Sequence, residues 1–128
     1  MTNKTILYVE DNPRNMRLVR KLLEHAGYTV LEAYDGHTGL TMAIDNRPDL
    51  ILMDVNLPDL DGLKVTERIK KTPTTRHIPI IALTANAMHG DKEKCLAAGC
   101  NNYMPKPISK TLLLETVTAA LKTETIKQ

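Results

Sequence analysis

The sequence is poor in aromatic residues: it has no tryptophan, no phenylalanine and four tyrosines among 128 residues. The net charge of +2 is also small, so the basic and aromatic surface typical of nucleic-acid binding is missing. The longest apolar runs fall far short of the roughly 20 residues that cross a bilayer, and the first residues lack the apolar core of a signal peptide. We therefore expect a cytoplasmic protein that binds neither nucleic acid nor membranes.

Cysteine is scarce as well. Cys95 and Cys100 are the two cysteines. They form no C-x-x-C motif, and no histidine lies nearby at metal-ligand spacing. We expect both to be ordinary reduced thiols. A chain of 128 residues can bury roughly two-thirds of its unfolded surface without a disulfide or metal staple. With no internal repeat or linker, residues 1–128 are predicted to form a single domain.

The sequence does contain four apolar stretches that each lead into a polar residue suited to phosphate or Mg²⁺ chemistry. They are Ile6–Val9 before Glu10 and Asp11, Leu50–Met53 before Asp54, Ile80–Leu83 before Thr84, and the shorter Asn102–Met104 before Lys106. Short apolar runs without alternation are typical of strands buried on both faces. Such strands lie parallel in open α/β sheets, and ligands bind beyond their carboxyl ends. The pattern predicts three carboxylates, a hydroxyl and an ammonium in one crevice.

Helical segments alternate with these strands. We expect five helices: from about 13 to 26, around 39–44, across Leu63, Val65 and Ile69, from about 87 to 98, and from the Ser109 cap to about 122. A further strand is expected at 28–33, and the tail from Thr123 is expected to be frayed. Asn12 is a predicted N-cap, Gly27 a predicted stop, and Asp61 the predicted cap of helix three. This alternation predicts a flavodoxin-like, doubly wound (βα)5 α/β fold, a five-stranded parallel sheet with helices on both faces. The pattern leaves strand order open, although this fold places the first strand at the centre, next to the third and fourth.

The predicted crevice suits a hard cation and a phosphoryl group. Glu10, Asp11 and Asp54 supply the oxygen ligands that Mg²⁺ prefers, and the cation would offset their mutual repulsion. Asp54 ends its strand before a turn-rich loop, which leaves room for in-line attack on phosphorus to form an acyl phosphate. The Lys106 ammonium and the Thr84 hydroxyl would then contact phosphoryl oxygens.

These polar residues occur in a definite order along the chain: Glu10-Asp11, Asp54, Thr84-Ala85 and Lys106-Pro107. In that order they resemble the receiver domains of two-component response regulators, over residues 4 to about 122. The resemblance implies that Asp54 is the phosphoacceptor and that Asp11, Asp54 and the backbone carbonyl of Asn56 hold Mg²⁺. It also implies that Glu10 acts on the metal through water and that Thr84 and Lys106 bind the phosphoryl group.

The resemblance further implies a switch and a docking surface. Phosphorylation would draw Thr84 inward and Tyr103 would follow, which remodels the face built by helix four, strand five and helix five. A histidine kinase or histidine phosphotransfer protein would dock through a patch on helix one and after the lysine: Asn15, Leu18, Leu22, Pro107 and Ile108. The downstream protein target is unspecified, and the chain is expected to be a monomer or a phosphorylation-dependent dimer. Asn56 and Asn86 match positions that tune phosphoryl lifetime in the family.

Two residues near the site depart from the commonest family pattern, and one peptide bond there is a candidate for an unusual geometry. The first acid is Glu10 where many members have aspartate, which lengthens the side chain and keeps its charge. Pro105 removes a strand donor just before the lysine. The Lys106–Pro107 peptide is a candidate cis bond, because cis bonds are largely confined to X-Pro and a tight turn there could aim the lysine.

Other functions compete with this interpretation. A phosphotransferase of the haloacid-dehalogenase kind needs a second acid two residues after Asp54, where this chain has Asn56. A nucleotide-binding module would need a glycine-rich loop after the first strand, and no such loop follows that strand in this sequence. A receiver that acts only as a scaffold would not need chemically competent residues at all five functional positions, which are Glu10, Asp11, Asp54, Thr84 and Lys106. A receiver excised from a hybrid histidine kinase would need them, so that alternative stays open. We expect a stand-alone regulator with no output domain, and no enzymatic activity beyond self-phosphorylation at Asp54 and autodephosphorylation.

Overall fold

Five strands alternate with five helices in the computed structural model, which describes residues 4–85 and 90–126. The strands are β1 (Thr5–Val9), β2 (Thr29–Ala33), β3 (Leu50–Asp54), β4 (Ile80–Thr84) and β5 (Asn102–Pro105). The helices are α1 (Pro13–His25), α2 (Gly36–Asn46), α3 (Gly62–Lys71), α4 (Lys92–Ala98) and α5 (Lys110–Ile126). None of these helices is long and apolar enough to cross a membrane.

The strands form one parallel sheet in the order β2-β1-β3-β4-β5, which confirms the predicted doubly wound fold. One detail of the prediction is wrong. β1 pairs with β2 and β3, and β4 pairs with β3 rather than with β1. β2 lies on one side of β1, and β3 lies on the other side. β4 and β5 are then added in succession beyond β3, so β3 occupies the centre of the parallel sheet.

Alternate side chains of the strands pack into two separate hydrophobic cores, one on each face of the sheet. Ile6 and Tyr8 pack with residues of α1 and α5, whereas Leu7 and Val9 pack with residues of α2, α3 and α4. β1, β3 and β4 are almost entirely buried because helices cover both faces. This burial explains why their sequences show continuous apolar runs and holds their carboxyl ends rigidly together.

The predicted helix ends are mostly confirmed. The Asn12 side chain accepts hydrogen bonds from the backbone N–H groups of Arg14 and Asn15, and Pro13 opens α1. Asp61 caps α3 through the N–H of Leu63 at 2.9 Å. The backbone of α5 continues to Ile126, beyond its predicted end near 122, since no glycine or proline interrupts the segment. The predicted start of helix four at Ala87 lies outside the described residues.

Both cysteines lie in or just after α4. Cys95 is in the helix and Cys100 follows its Gly99 end, and the two are free and buried. Burial raises the pKa of both thiols, that of Cys100 to about 12. A buried thiol that stays protonated at neutral pH is a poor nucleophile.

Candidate functional site

Four strand ends lie at one edge of the sheet, and each carries a polar residue of the predicted crevice. Glu10 follows β1, Asp54 and Thr84 end β3 and β4, and Lys106 follows β5. These four strands are consecutive neighbours in the sheet. The backbone N–H of Lys106 donates to the carbonyl of Thr84 at 2.9 Å, which fixes the end of β5 against the end of β4. The fold therefore brings the predicted residues to one edge.

Three carboxylates form a compact group at this edge. Glu10, Asp11 and Asp54 each offer one oxygen, and these oxygens lie within 4.8 Å of one another. Glu10 and Asp54 are each 1% exposed, whereas Asp11 is exposed. Buried carboxylates require compensating charge or hydrogen bonds, and a group of hard oxygen donors open to solvent on one side fits a divalent cation such as Mg²⁺.

A surface pocket of about 510 Å³ lies next to this group, on the side of Asp11. Asp11 and Asn56 line it together with the loop between β3 and α3. The backbone N–H of Asn56 donates to Oδ1 of Asp54 at 3.1 Å. This hydrogen bond holds the start of the loop beside the Asp54 carboxylate.

Lys106 supplies positive charge next to this group. Its Nζ lies 3.1 Å from Oδ1 of Asp54 and 3.4 Å from Oε1 of Glu10. Burial works to lower the pKa of Lys106, but the hydrogen bond to Asp54 and the charges of Asp54 and Glu10 outweigh it and hold the pKa above its ordinary value. The ammonium is therefore charged at neutral pH. The Lys106–Pro107 peptide is cis, which confirms the prediction for that bond.

Tyr8 is a site residue that the sequence analysis treated only as part of a strand. Its hydroxyl donates to Oε1 of Glu10 at 3.1 Å, while the N–H of Asn12 donates to Oε2 at 3.2 Å. Burial raises the pKa of Tyr8 and the charge of Glu10 raises it further, so the phenol remains a donor. Residues two apart on a strand point to the same face, so the spacing of Tyr8 and Glu10 was an available signal.

Thr84 is fully buried, and its hydroxyl donates to Oδ2 of Asp91 at 2.6 Å. Asp91 immediately precedes α4 and was not singled out from the sequence. Tyr103, the predicted switch residue, is half-buried in β5 and packs against the core formed with α2, α3 and α4. Asn86 lies outside the described residues.

The remaining acids near the pocket have structural partners. Asp59 accepts the backbone N–H groups of Gly36 at 2.7 Å and His37 at 3.0 Å, which ties the loop after β3 to the start of α2. The Gly36 hydrogen bond is the main reason that the pKa of Asp59 is lowered. Asp61 caps α3. Neither acid belongs to the three-carboxylate group.

The predicted docking residues lie on one side of the sheet. Leu22 and Ile108 are half-buried and pack against the core that α1 and α5 share. Leu18 is 54% exposed on α1, Asn15 is half-buried, and Pro107 is exposed. The apolar docking residues thus include the exposed Leu18 on α1 and two side chains, Leu22 and Ile108, that pack against the α1 and α5 core.

Comparisons with known proteins agree with the fold and with the predicted family. The family model described as "Response regulator receiver domain" matches residues 6–118. The polar-differentiation response regulator DivK of Brucella anthropi is 46% identical over 118 residues, which are 92% of this chain and 96% of that protein.

Two solved structures extend the comparison. The receiver domain of a sensor histidine kinase from Pseudomonas aeruginosa PAO1, solved with a magnesium ion coordinated in its active-site cleft, is 41% identical with a TM-score of 0.88, covering 94% of this chain and 99% of that one. A CheY-like receiver domain protein from Methanospirillum hungatei JF-1 is 28% identical with a TM-score of 0.92, covering 99% and 100%. The resemblance predicted from the strand-end residues is thereby confirmed. This chain belongs to the response regulator receiver domain family of two-component signalling.

Proposed function

We propose that Asp54 accepts a phosphoryl group from a phosphohistidine and that the resulting acyl phosphate controls binding of a protein partner. The observation that carries the proposal is the buried Asp54 carboxylate, which Lys106 contacts at 3.1 Å within the group of three acids. A carboxylate oxygen attacks phosphorus and the P–N bond to the donor imidazole breaks. Water later attacks the same phosphorus and releases phosphate, which restores Asp54.

Two kinds of positive charge support this transfer. Asp11, Asp54 and the backbone carbonyl of Asn56 would hold Mg²⁺, with Glu10 acting through a water molecule. When bound, the ion supplies positive charge that offsets the negative charge of the phosphoryl oxygens. Lys106 already neutralises part of the resting carboxylate charge, and a phosphoryl oxygen on Asp54 offers its ammonium a stronger partner. The cation-bearing Pseudomonas receiver supports the assignment of the acidic group.

The phosphoryl group would act as a switch. Its oxygens offer the Thr84 hydroxyl a new acceptor, and Tyr103 on the neighbouring edge strand would follow the movement of Thr84. The face of α4, β5 and α5 then has two arrangements, of which the phosphorylated protein favours one. We infer that output depends on protein binding at this face and that the chain has no catalytic output of its own.

A histidine kinase or histidine phosphotransfer protein is the proposed phosphodonor. We propose that it docks through Asn15, Leu18, Leu22, Pro107 and Ile108, of which Leu22 and Ile108 lie on the side of the sheet that α1 and α5 cover and Leu18 is exposed on α1. We expect Leu18→Ala to slow phosphotransfer from the cognate donor and to leave phosphorylation by acetyl phosphate unchanged, since a small donor needs no docking surface. Equal slowing with both donors would contradict this assignment.

Intact-mass measurement after treatment with acetyl phosphate and Mg²⁺ tests the central proposal. The unsubstituted protein should gain one phosphoryl mass, and chelation of Mg²⁺ should prevent the gain. Asp54→Asn should gain none at this site, whereas Asp45→Asn, which changes an exposed acid on α2, should behave like the unsubstituted protein. A protein that gains no mass, or an undiminished gain in Asp54→Asn, would sink the proposal.

A second candidate is that the chain is the receiver part of a hybrid histidine kinase. The 41% identity to the receiver domain of a sensor histidine kinase favours it. The chemistry at Asp54 would be the same, but the donor histidine would belong to the same polypeptide. An immunoblot of the native protein separates the two: a band near 14.3 kDa supports the stand-alone regulator, and a much larger band supports the hybrid kinase.

A further inference from the structure

We propose that Asp91 is a positioning residue that restrains the Thr84 hydroxyl in the resting protein, so that phosphoryl binding must break the Thr84–Asp91 hydrogen bond. This inference rests on the proposed function of Asp54. It assigns a role to an acid that lies outside the three-carboxylate group and that neither chelates the proposed metal nor receives the phosphoryl group.

The contact itself has the geometry of a strong hydrogen bond. Oγ1 of Thr84 and Oδ2 of Asp91 are 2.6 Å apart, within the range of charge-assisted O–H···O⁻ bonds. Thr84 is fully buried and Asp91 is half-buried, so water competes weakly for either group. A hydrogen bond of this kind to a charged acceptor contributes more than one between neutral groups.

The restraint follows from the number of protons available. A threonine hydroxyl has one proton to donate. It cannot donate to Asp91 and to a phosphoryl oxygen at the same time. The free energy of the resting contact therefore opposes the active arrangement, and the phosphoryl group must supply a better acceptor before Thr84 changes partner.

The location of Asp91 links this exchange to α4. Asp91 immediately precedes α4, and its side chain accepts the Thr84 hydroxyl and makes no cap hydrogen bond to the helix. The phosphoryl-sensing hydroxyl is thus tied directly to the residue that precedes α4.

The test uses beryllofluoride with Mg²⁺ as a non-hydrolysable phosphoryl mimic. Asp91→Ala should bind it about tenfold more tightly than the unsubstituted protein, because a contact present only in the resting state is lost. Glu93→Ala is the matched control: it removes an exposed acid from the same helix and should leave the affinity near that of the unsubstituted protein. In a Thr84→Val background, Asp91→Ala should have no further effect.

Unchanged affinity in Asp91→Ala, or an equal gain in the Thr84→Val background, would overturn the restraint, since a gain without the hydroxyl reports charge alone. Failure of the unsubstituted protein to bind beryllofluoride would instead overturn the proposed function of Asp54.

Discussion

At the scale of single residues, Glu10 shows how a buried acid is held in place beside two others. One of its carboxylate oxygens faces the Tyr8 hydroxyl and the Lys106 ammonium, and the other accepts the N–H of Asn12. These three donors limit where the side chain can point. The longer glutamate therefore has a fixed position rather than a range of rotamers, which suits a contact to a metal through water.

Tyr8→Phe should weaken Mg²⁺ binding by about tenfold, because it removes one donor that orients Glu10 and keeps the shape of the strand residue. Calorimetric titration with MgCl₂ measures the effect. Tyr28→Phe is the control, since Tyr28 also packs against the core shared by α1 and α5 but lies outside the acidic group. If both variants bind Mg²⁺ as tightly as the unsubstituted protein, Tyr8 has no orienting role.

Asp59→Ala should lower the free energy of unfolding at neutral pH and lose this effect in acid. The folded-state pKa of Asp59 is lowered from 3.8, chiefly by the Gly36 N–H. The charged carboxylate therefore stabilises the fold above that pH, and the contribution disappears as pH falls through the lower folded-state value.

Urea unfolding of Asp59→Ala and the unsubstituted protein between neutral pH and about pH 3 measures this difference. Asp45→Ala, which removes an exposed acid from α2, controls for the general loss of a charge. A difference between Asp59→Ala and the unsubstituted protein that stays constant over this pH range would contradict the assignment.

At the scale of secondary structure, the start of α3 presses directly against the end of β3. A Cβ atom at Gly62 would lie 2.1 Å from the carbonyl oxygen of Asp54, and the Gly62 N–H donates to the carbonyl of Val55 at 3.0 Å. Only glycine permits this approach. The helix thereby fixes the backbone of the proposed phosphoacceptor and of the residue after it.

Gly62→Ala should destabilise the protein by about 1–3 kcal/mol and slow phosphorylation of Asp54, because the added methyl group forces the Asp54 backbone to move. Urea unfolding gives the first quantity, and intact mass against time with acetyl phosphate gives the second. Lys64→Ala on the same helix is exposed and should change neither. Normal stability and normal phosphorylation in Gly62→Ala would show that this approach is not needed.

At the scale of the whole molecule, much of the fold was predictable because burial on both faces leaves a clear signal. The apolar runs marked β1, β3, β4 and β5, and parallel pairing placed Glu10, Asp54 and Thr84 at one edge. Contacts between residues far apart in the chain left no comparable signal in the sequence. Asp59 reaches an N–H 23 positions away, and the Thr84–Asp91 contact depends on the path of the chain after β4. Such pairs require the folded geometry itself.

Mg²⁺ should stabilise the whole fold, since the three acids come together only when their strands assemble. At about 100 times the dissociation constant, a ligand that binds only the folded state adds about 2.7 kcal/mol. Urea unfolding with and without MgCl₂ measures this gain, and Asp11→Asn should abolish most of it. Asp45→Asn should keep it. An equal gain in Asp11→Asn would indicate a general salt effect.

The two buried thiols also make the molecule convenient to label. Neither Cys95 nor Cys100 offers a reactive sulfur at the surface of the folded protein. Brief maleimide treatment should leave the natural chain unmodified, as judged by intact mass. Thr118→Cys, at an exposed position on α5, would then carry a single fluorophore while both natural cysteines stay in place. The movements of one protein face could be followed in real time on an otherwise unaltered chain.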